Sequence, residues 1–220
     1  MNLFERLSNN KGTISSALGK EIAKEILKGN TKLLIETIPF VRYDLKKTTL
    51  KHVRAGAAKV IECVAAERPD LVAPYLEEIL PALEADEPQT KWMVFMTLGY
   101  CSKIESTIAE KALPYAKKYI LEKTDGQLCL VGAVDIYLGN WGSISKENAQ
   151  KAYKLLVEST NNVIMNEQDW ILEGFDKILY FLTISQKKIV AEFASEYIEY
   201  SKKATQKRAQ KIIGKCELKS

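Results

Sequence analysis

The chain holds one histidine, His52, and four cysteines, Cys63, Cys101, Cys129 and Cys216. A thiol and an imidazole in hydrogen-bond reach would make a nucleophile and its base. His52 and Cys63 stand eleven residues apart on what reads as one helix. At about 1.5 Å of rise per residue, they do not meet. His52 therefore reads as a partly exposed polar residue. With one histidine and no Cys-x-x-Cys, the chain offers no zinc spacing. The cysteines read as small apolar core residues of a reducing compartment, not as a disulfide framework. Neither a Gly-x-Gly-x-x-Gly nor a phosphate-binding glycine loop occurs. No Gly-x-Ser-x-Gly or Ser-x-x-Lys nucleophile falls at a strand-to-helix turn. Acidic pairs such as Glu77-Glu78 and Asp86-Glu87 are common on solvated helices and turns, and they suggest no acid/base couple.

Two central segments are less ordinary. One carries Met93, Met96, Thr97 and Tyr100; the next carries Val131, Val134, Asp135 and Leu138. A helix that is apolar all round is either enclosed or presents a sticky face. Met adapts to varied partners, and a contiguous apolar patch marks a contact site. The candidate partner-binding residues are Met93, Met96, Tyr100, Val134, Asp135 and Trp141. The competing reading is that tight stacking closes over them and makes them core. Asp135 is the lone charged residue between Asp125 and Lys146. A carboxylate in such surroundings either pairs or has a raised pKa. Trp141, in what reads as an inter-helix turn, is either an exposed anchor or packed beneath that turn.

The elements that hold these residues all read as helices. Apolar residues recur at three and four spacing, as in Ile189, Val190, Phe193, Ala194, Tyr197 and Ile198, and no stretch alternates with period two. Breakers recur, among them Gly29-Asn30, Arg68-Pro69-Asp70, Asp86-Glu87-Pro88 and Asn161-Asn162. Helices are expected near 15–28, 31–44, 48–67, 70–84, 88–102, 105–123, 125–140, 145–161, 167–183, 186–201 and 203–214. Asp70 and Ser145 sit where an N-cap oxygen would accept the first free N–H groups. Glu173, Asp176, Lys177 and Tyr180 share a strip that reads as solvent-facing.

Self-similarity organises these helices into repeats. With Val53 as anchor, partners fall at Thr90, Leu128 and Trp170, at offsets of 37, 38 and 42 residues. One column then reads Ile61, Leu98, Ile136, Ile178; a second reads Ala57, Val94, Gly132, Gly174; a third reads Ala58, Phe95, Ala133, Phe175. Periods of this length signal stacked repeats, none able to bury its apolar face alone. A mid-helix Gly costs about 1 kcal/mol relative to Ala. Gly132 and Gly174 make sense if they let a neighbouring helix come close. Pro39, Pro74, Pro81 and Pro114 fall within the first helices of the pairs, which they would bend.

Ile38-Pro39-Phe40 followed by Val53-Arg54-x-x-Ala57-Ala58, and Leu80-Pro81 followed by Asp86-Glu87-Pro88, resemble the HEAT-like (armadillo-type) helical repeat family over roughly residues 30–215. The Arg54 column continues as Lys91, Cys129 and Ile171, so the polar ladder of that family fades. The resemblance implies an all-α solenoid of about five stacked antiparallel helix pairs, with second helices lining a concave surface. It also implies a scaffold or protein-binding role without cofactor, metal or catalytic residues, and a protein or peptide partner. Some HEAT-like proteins are alkylpurine DNA glycosylases, and that alternative would give Asp135 a role beside Trp141 and Trp170. Against it, no Arg occurs between Arg68 and Arg208, and phosphate recognition needs many cations.

Charge and composition bound the rest. Hydrophobic residues make up 46% and charged residues 27% of 220 residues, ordinary values for a globular protein. Net charge is +4, but residues 201–220 carry seven Lys/Arg against one Glu, or +6, leaving −2 for residues 1–200. A uniformly basic nucleic-acid binder would not look like this. No apolar run approaches the roughly 20 residues that span a bilayer. The polar start MNLFERLSNN shows no secretory core, so a cytoplasmic location is expected. The whole chain is expected to be one repeat domain: 1–29 an N-terminal cap, 30–201 repeats, and 202–220 a basic capping helix and tail.

Overall fold

Every described element is helical, and no strand occurs among the described residues. The computed structural model describes residues 2–9 and 17–217. The start of the helix expected from 15 and the end of the tail, including Lys219, lie outside those residues. Chain packing separates two units, Met1–Tyr115 and Ala116–Ser220.

The first unit begins with α1 (Leu3–Ser8), a helix the apolar spacing does not announce. The Asn2 side chain accepts from the Glu5 N–H at 2.8 Å, and Glu5 returns the bond to the Asn2 N–H at 2.9 Å. This reciprocal cap satisfies two free donors. Arg6 reaches Glu25 at 2.6 Å and ties α1 to α2 (Ala17–Leu27). Then come α3 (Thr31–Val41), α4 (Lys51–Glu67), α5 (Pro69–Val72), α6 (Leu76–Ile79), α7 (Pro88–Cys101) and α8 (Ser106–Glu110). The division between units falls inside α9 (Leu113–Leu121). α4 packs against α2, α3 and α7, and buries Val53, Ala57, Val60, Ile61 and Val64 among them.

The helix expected over 70–84 is broken. It runs as α5, a 3-10 turn at Ala73–Tyr75, α6, and a 3-10 stretch at Leu80–Glu84. Pro74 and Pro81 head the two tighter pieces. Each lacks an N–H and crowds the carbonyl four residues back, which interrupts the α-helical ladder instead of only bending it. Asp70 is not an N-cap; it lies in the first turn of α5, held by Arg68 at 2.6 and 2.8 Å.

The second unit holds α10 (Leu128–Gly142), α11 (Lys146–Thr160), α12 (Gln168–Ile178), α13 (Ile184–Ser195) and α14 (Lys203–Glu217). Ser145 caps α11 as its position implies, accepting from the Asn148 N–H at 3.1 Å. α10 is buried without interruption from Leu130 to Gly139, the condition that suits a helix apolar all round. It packs on α11 and α12, and α12 packs in turn on α14.

Close backbone approach explains the glycines of this unit. A Cβ on Gly139 would sit 2.7 Å from the Gly174 Cα. A Cβ on Gly174 would sit 2.9 Å from the Asp135 carbonyl oxygen and 2.8 Å from Leu156. One on Gly132 would enter the Trp170 ring. Ala58, Phe95, Ala133 and Phe175 are all buried, as are Ile61, Leu98, Ile136 and Ile178, so the repeat columns read from sequence are core columns. Gly174→Ala is expected to lower stability by about 1–3 kcal/mol through overpacking. Gly126→Ala, where a Cβ meets nothing within 4 Å, should leave the urea midpoint unchanged or slightly raised.

Candidate functional site

The most heavily charged interior positions lie at the heads of second helices. Glu87 is the N-cap residue of α7 and is buried. Arg54, wholly buried on the preceding α4, meets it in a bidentate pair: Nε donates to Oε1 at 2.9 Å and Nη2 to Oε2 at 2.8 Å. The guanidinium Nη1 donates to the carbonyls of Asp44 at 2.7 Å and Lys47 at 3.0 Å. Asp44 takes a left-handed φ of 42°, part of the turn that presents these carbonyls. Thr90 Oγ1 donates to Glu87 Oε1 at 2.6 Å. Burial pushes the Glu87 carboxyl up, but the Arg54 and Thr90 hydrogen bonds outweigh it and hold the group below its ordinary value. A depressed carboxylate adds stability above the usual glutamate range, and that stability is lost as pH falls.

The second unit repeats the device with other residues. Glu167 is the N-cap residue of α12 and is fully buried. Lys123 Nζ donates to its two oxygens at 2.8 and 3.0 Å and to the Ser159 carbonyl at 2.8 Å. The Ile164 N–H donates to Glu167 Oε2 at 2.8 Å. Asn166, immediately before Glu167, takes φ 70°. Here burial wins: it lifts the Glu167 carboxyl above its ordinary value despite the Lys123 bonds.

Sequence reading places Arg54 in a repeat column but misses Lys123, Glu87 and Glu167 as partners. A signal was present. Glu87 and Glu167 each stand three residues before a repeat anchor, Thr90 and Trp170, and Asp125 stands three before Leu128. The cation is less regular: Arg54 follows its anchor, whereas Lys123 precedes Leu128 by five residues. The Arg54 column fades after the first unit because the second takes its cation from the segment leading into α10.

The six candidate contact residues separate by burial. Met93, Val134, Asp135 and Trp141 are interior, at 0–1% exposure. They are core rather than groove: Met93 is buried on α7, Val134 and Asp135 sit in the buried central stretch of α10, and Trp141 lies within that helix, not in a turn. Met96 and Tyr100 are half-buried on α7. Trp92, which sequence reading did not single out, is half-buried too and shares their four-residue spacing. At the matching columns of α4, Lys59 and Cys63 are half-buried. Asp135 accepts from Ser159 Oγ at 2.9 Å and is sealed from solvent, so it does not face a groove where a base would lie.

The strip of α12 that read as solvent-facing is covered. α14 lays Arg208 on Glu173 at 2.6 Å, Lys211 on Asp176 at 2.7 Å and Lys215 on Asp176, and Lys202, just before the helix, reaches Asp169 at 3.4 Å. Tyr180 alone of that strip is exposed. The thiols are unbridged. Only Cys101 is fully buried, and burial pushes its pKa up to about 12; Cys129, expected in the core, is exposed. Among the described residues no cluster of three or more His, Cys, Asp or Glu is placed to hold a metal ion. Nor is any helix among them long and apolar enough to cross a membrane.

In solved structures the chain is similar to an engineered protein, at 15% identity with a TM-score of 0.61, covering 99% of this chain and 98% of that one. It is also similar to a designed armadillo repeat protein, at 13% identity with a TM-score of 0.59, covering 96% and 97%. The fold is an armadillo/HEAT-like helical repeat. No protein-family model matches the chain, and no curated protein does.

The stitching role of the buried pairs sets a scale. Lys123→Met would strand the Glu167 carboxylate in the interior and should cost about 3–5 kcal/mol. Lys111→Met removes a solvent-exposed partner of Glu77 and should change stability by less than about 1 kcal/mol. Urea unfolding of the two variants checks the contrast.

Proposed function

We propose that the protein is a non-enzymatic interaction module that binds a partner protein or peptide along its second helices, with Met96, Tyr100 and Trp92 as principal contacts. The observation that carries this reading is the α7 strip. Its three large side chains stay half-exposed where Met93, Val94, Phe95 and Leu98 on the same helix are buried. Trp, Tyr and Met are the residue types that concentrate binding energy at interfaces. Lys59 and Glu62, paired with each other on the adjacent α4, would supply the polar rim. Met93 is buried on the same helix, beneath that strip.

Buried charges further support a structural rather than chemical role. The Arg54 guanidinium and the Lys123 ammonium are fully engaged with carbonyls and carboxylates, which leaves neither poised on a substrate. The basic residues of α14 face the acids of α12, which argues against a nucleic-acid groove there. Unbridged cysteines fit a reducing compartment such as the cytoplasm.

Met96→Lys and Trp92→Ala should each retain the wild-type helical signal and urea midpoint within about 1 kcal/mol. Each should weaken capture of a partner cross-linked to the wild-type protein by at least about tenfold, the loss of a single hot-spot side chain. Undiminished capture by both folded variants would remove this strip from the interface.

A further inference from the structure

Asp135 does something that the scaffold does not require. It projects from the middle of α10 into the same sealed pocket of charge as Lys123 and Glu167. Ser159 Oγ donates to its Oδ1 at 2.9 Å, while Oδ2 is buried with no hydrogen-bond partner among the described residues. The ammonium of Lys123 is spent on Glu167 and on the Ser159 carbonyl. Two carboxyl groups thus share an interior with one cation, and the cation is committed to one of them. A second ionised carboxylate, desolvated and beside a like charge, is the costly arrangement in such a site.

We propose that Asp135 is a proton sensor built into residues 116–220: in the folded protein it holds a proton, and loss of that proton loosens the packing of α10 against α11 and α12. The charges bearing on it are those of Glu167, from the head of α12, and Lys123, from the segment leading into α10; α11 brings the Ser159 hydroxyl. Burial first, and then the Glu167 charge, hold the Asp135 carboxyl well above its ordinary value, against the weaker pull of Ser159 and Lys123. Position makes the effect mechanical. The Asp135 carboxyl is bonded to Ser159 of α11 and its backbone carbonyl lies against Gly174 of α12, so hydrating this carboxylate means parting α10 from its neighbours.

The sign of the pH dependence follows. A carboxyl raised on folding contributes stability that is fully present below its unfolded value and is lost as pH rises through its folded value. One extra proton bound by the folded state means that the folding constant falls by up to tenfold for each pH unit in that window. Asn keeps the acceptor for Ser159 but carries no charge.

The test is a carboxyl-carbon NMR titration of the full chain from pH 3 to 9, with urea unfolding at each pH. Where the exposed Asp70, held low by Arg68, has already titrated, the Asp135 signal should remain at its protonated position. Asp135→Asn should flatten the fall of the folding constant above the ordinary aspartate range. Glu167→Gln should move the Asp135 titration down, because the repelling charge is gone and Lys123 becomes available to it. Titration of Asp135 alongside Asp70 would overturn the proposal, as would an unchanged pH slope in Asp135→Asn. Should either variant fail to fold, the wild-type titration decides alone.

Discussion

A carboxylate buried at the head of a helix is tolerable only when a cation is held against it, and this requirement fixes how neighbouring repeats meet. Glu87 and Glu167 each open a second helix, and each is closed by a cation from earlier in the chain. In the dry interior a charge cannot fall back on water, so a small shift in register would strand both ions. Such pairs add little net stability compared with an apolar substitute. Their value lies in penalising every wrong alignment. The two left-handed non-glycine residues among those described, Asp44 and Asn166, both fall in the turns that wrap these pairs, and their unusual backbone is offset by the bonds they make available.

Around these fixed points, packing does the remaining work. In the second unit α10 hides every side of its central stretch, and the glycine pair Gly139 and Gly174 lets backbone approach backbone. At the end of the array the charge asymmetry of the sequence acquires a purpose. The basic residues of α14 rest on Asp169, Glu173 and Asp176 of α12. For Glu173 and Asp176, burial pushes the carboxyls up but the adjacent cations hold them below their usual range. The basic capping helix expected from sequence is largely the counter-charge of its own neighbour.

Much of this was legible in the residues. The period of about forty, the buried columns through Ile61 and Phe175, and the reason for Gly132 and Gly174 all follow from aligning the chain with itself, because core positions repeat whenever the unit repeats. Exposure was less legible. Apolar spacing identifies a face but not what covers it, so Met93 and Met96 look alike in sequence and differ in the fold. Trp141 reads as a turn residue because Gly139 and Gly142 suggest a turn, whereas they are small so that α12 and α11 can come close. The helix with Pro74 and Pro81 reads as continuous because a break and a bend leave the same mark on the sequence. The partners of the buried ions were hidden because an ion pair joins residues 33 and 44 positions apart, and no local pattern reports it.

The central claim is that the ion pairs at helix heads set the register of the repeats, and a double-mutant cycle on Arg54 and Glu87 tests it most directly. Arg54→Met and Glu87→Leu should each cost about 3–5 kcal/mol, since either leaves a buried charge alone, while the double variant should recover most of that loss. Two small, additive losses would contradict the account, for they would mean that the charges are solvated and the repeats are aligned by something else.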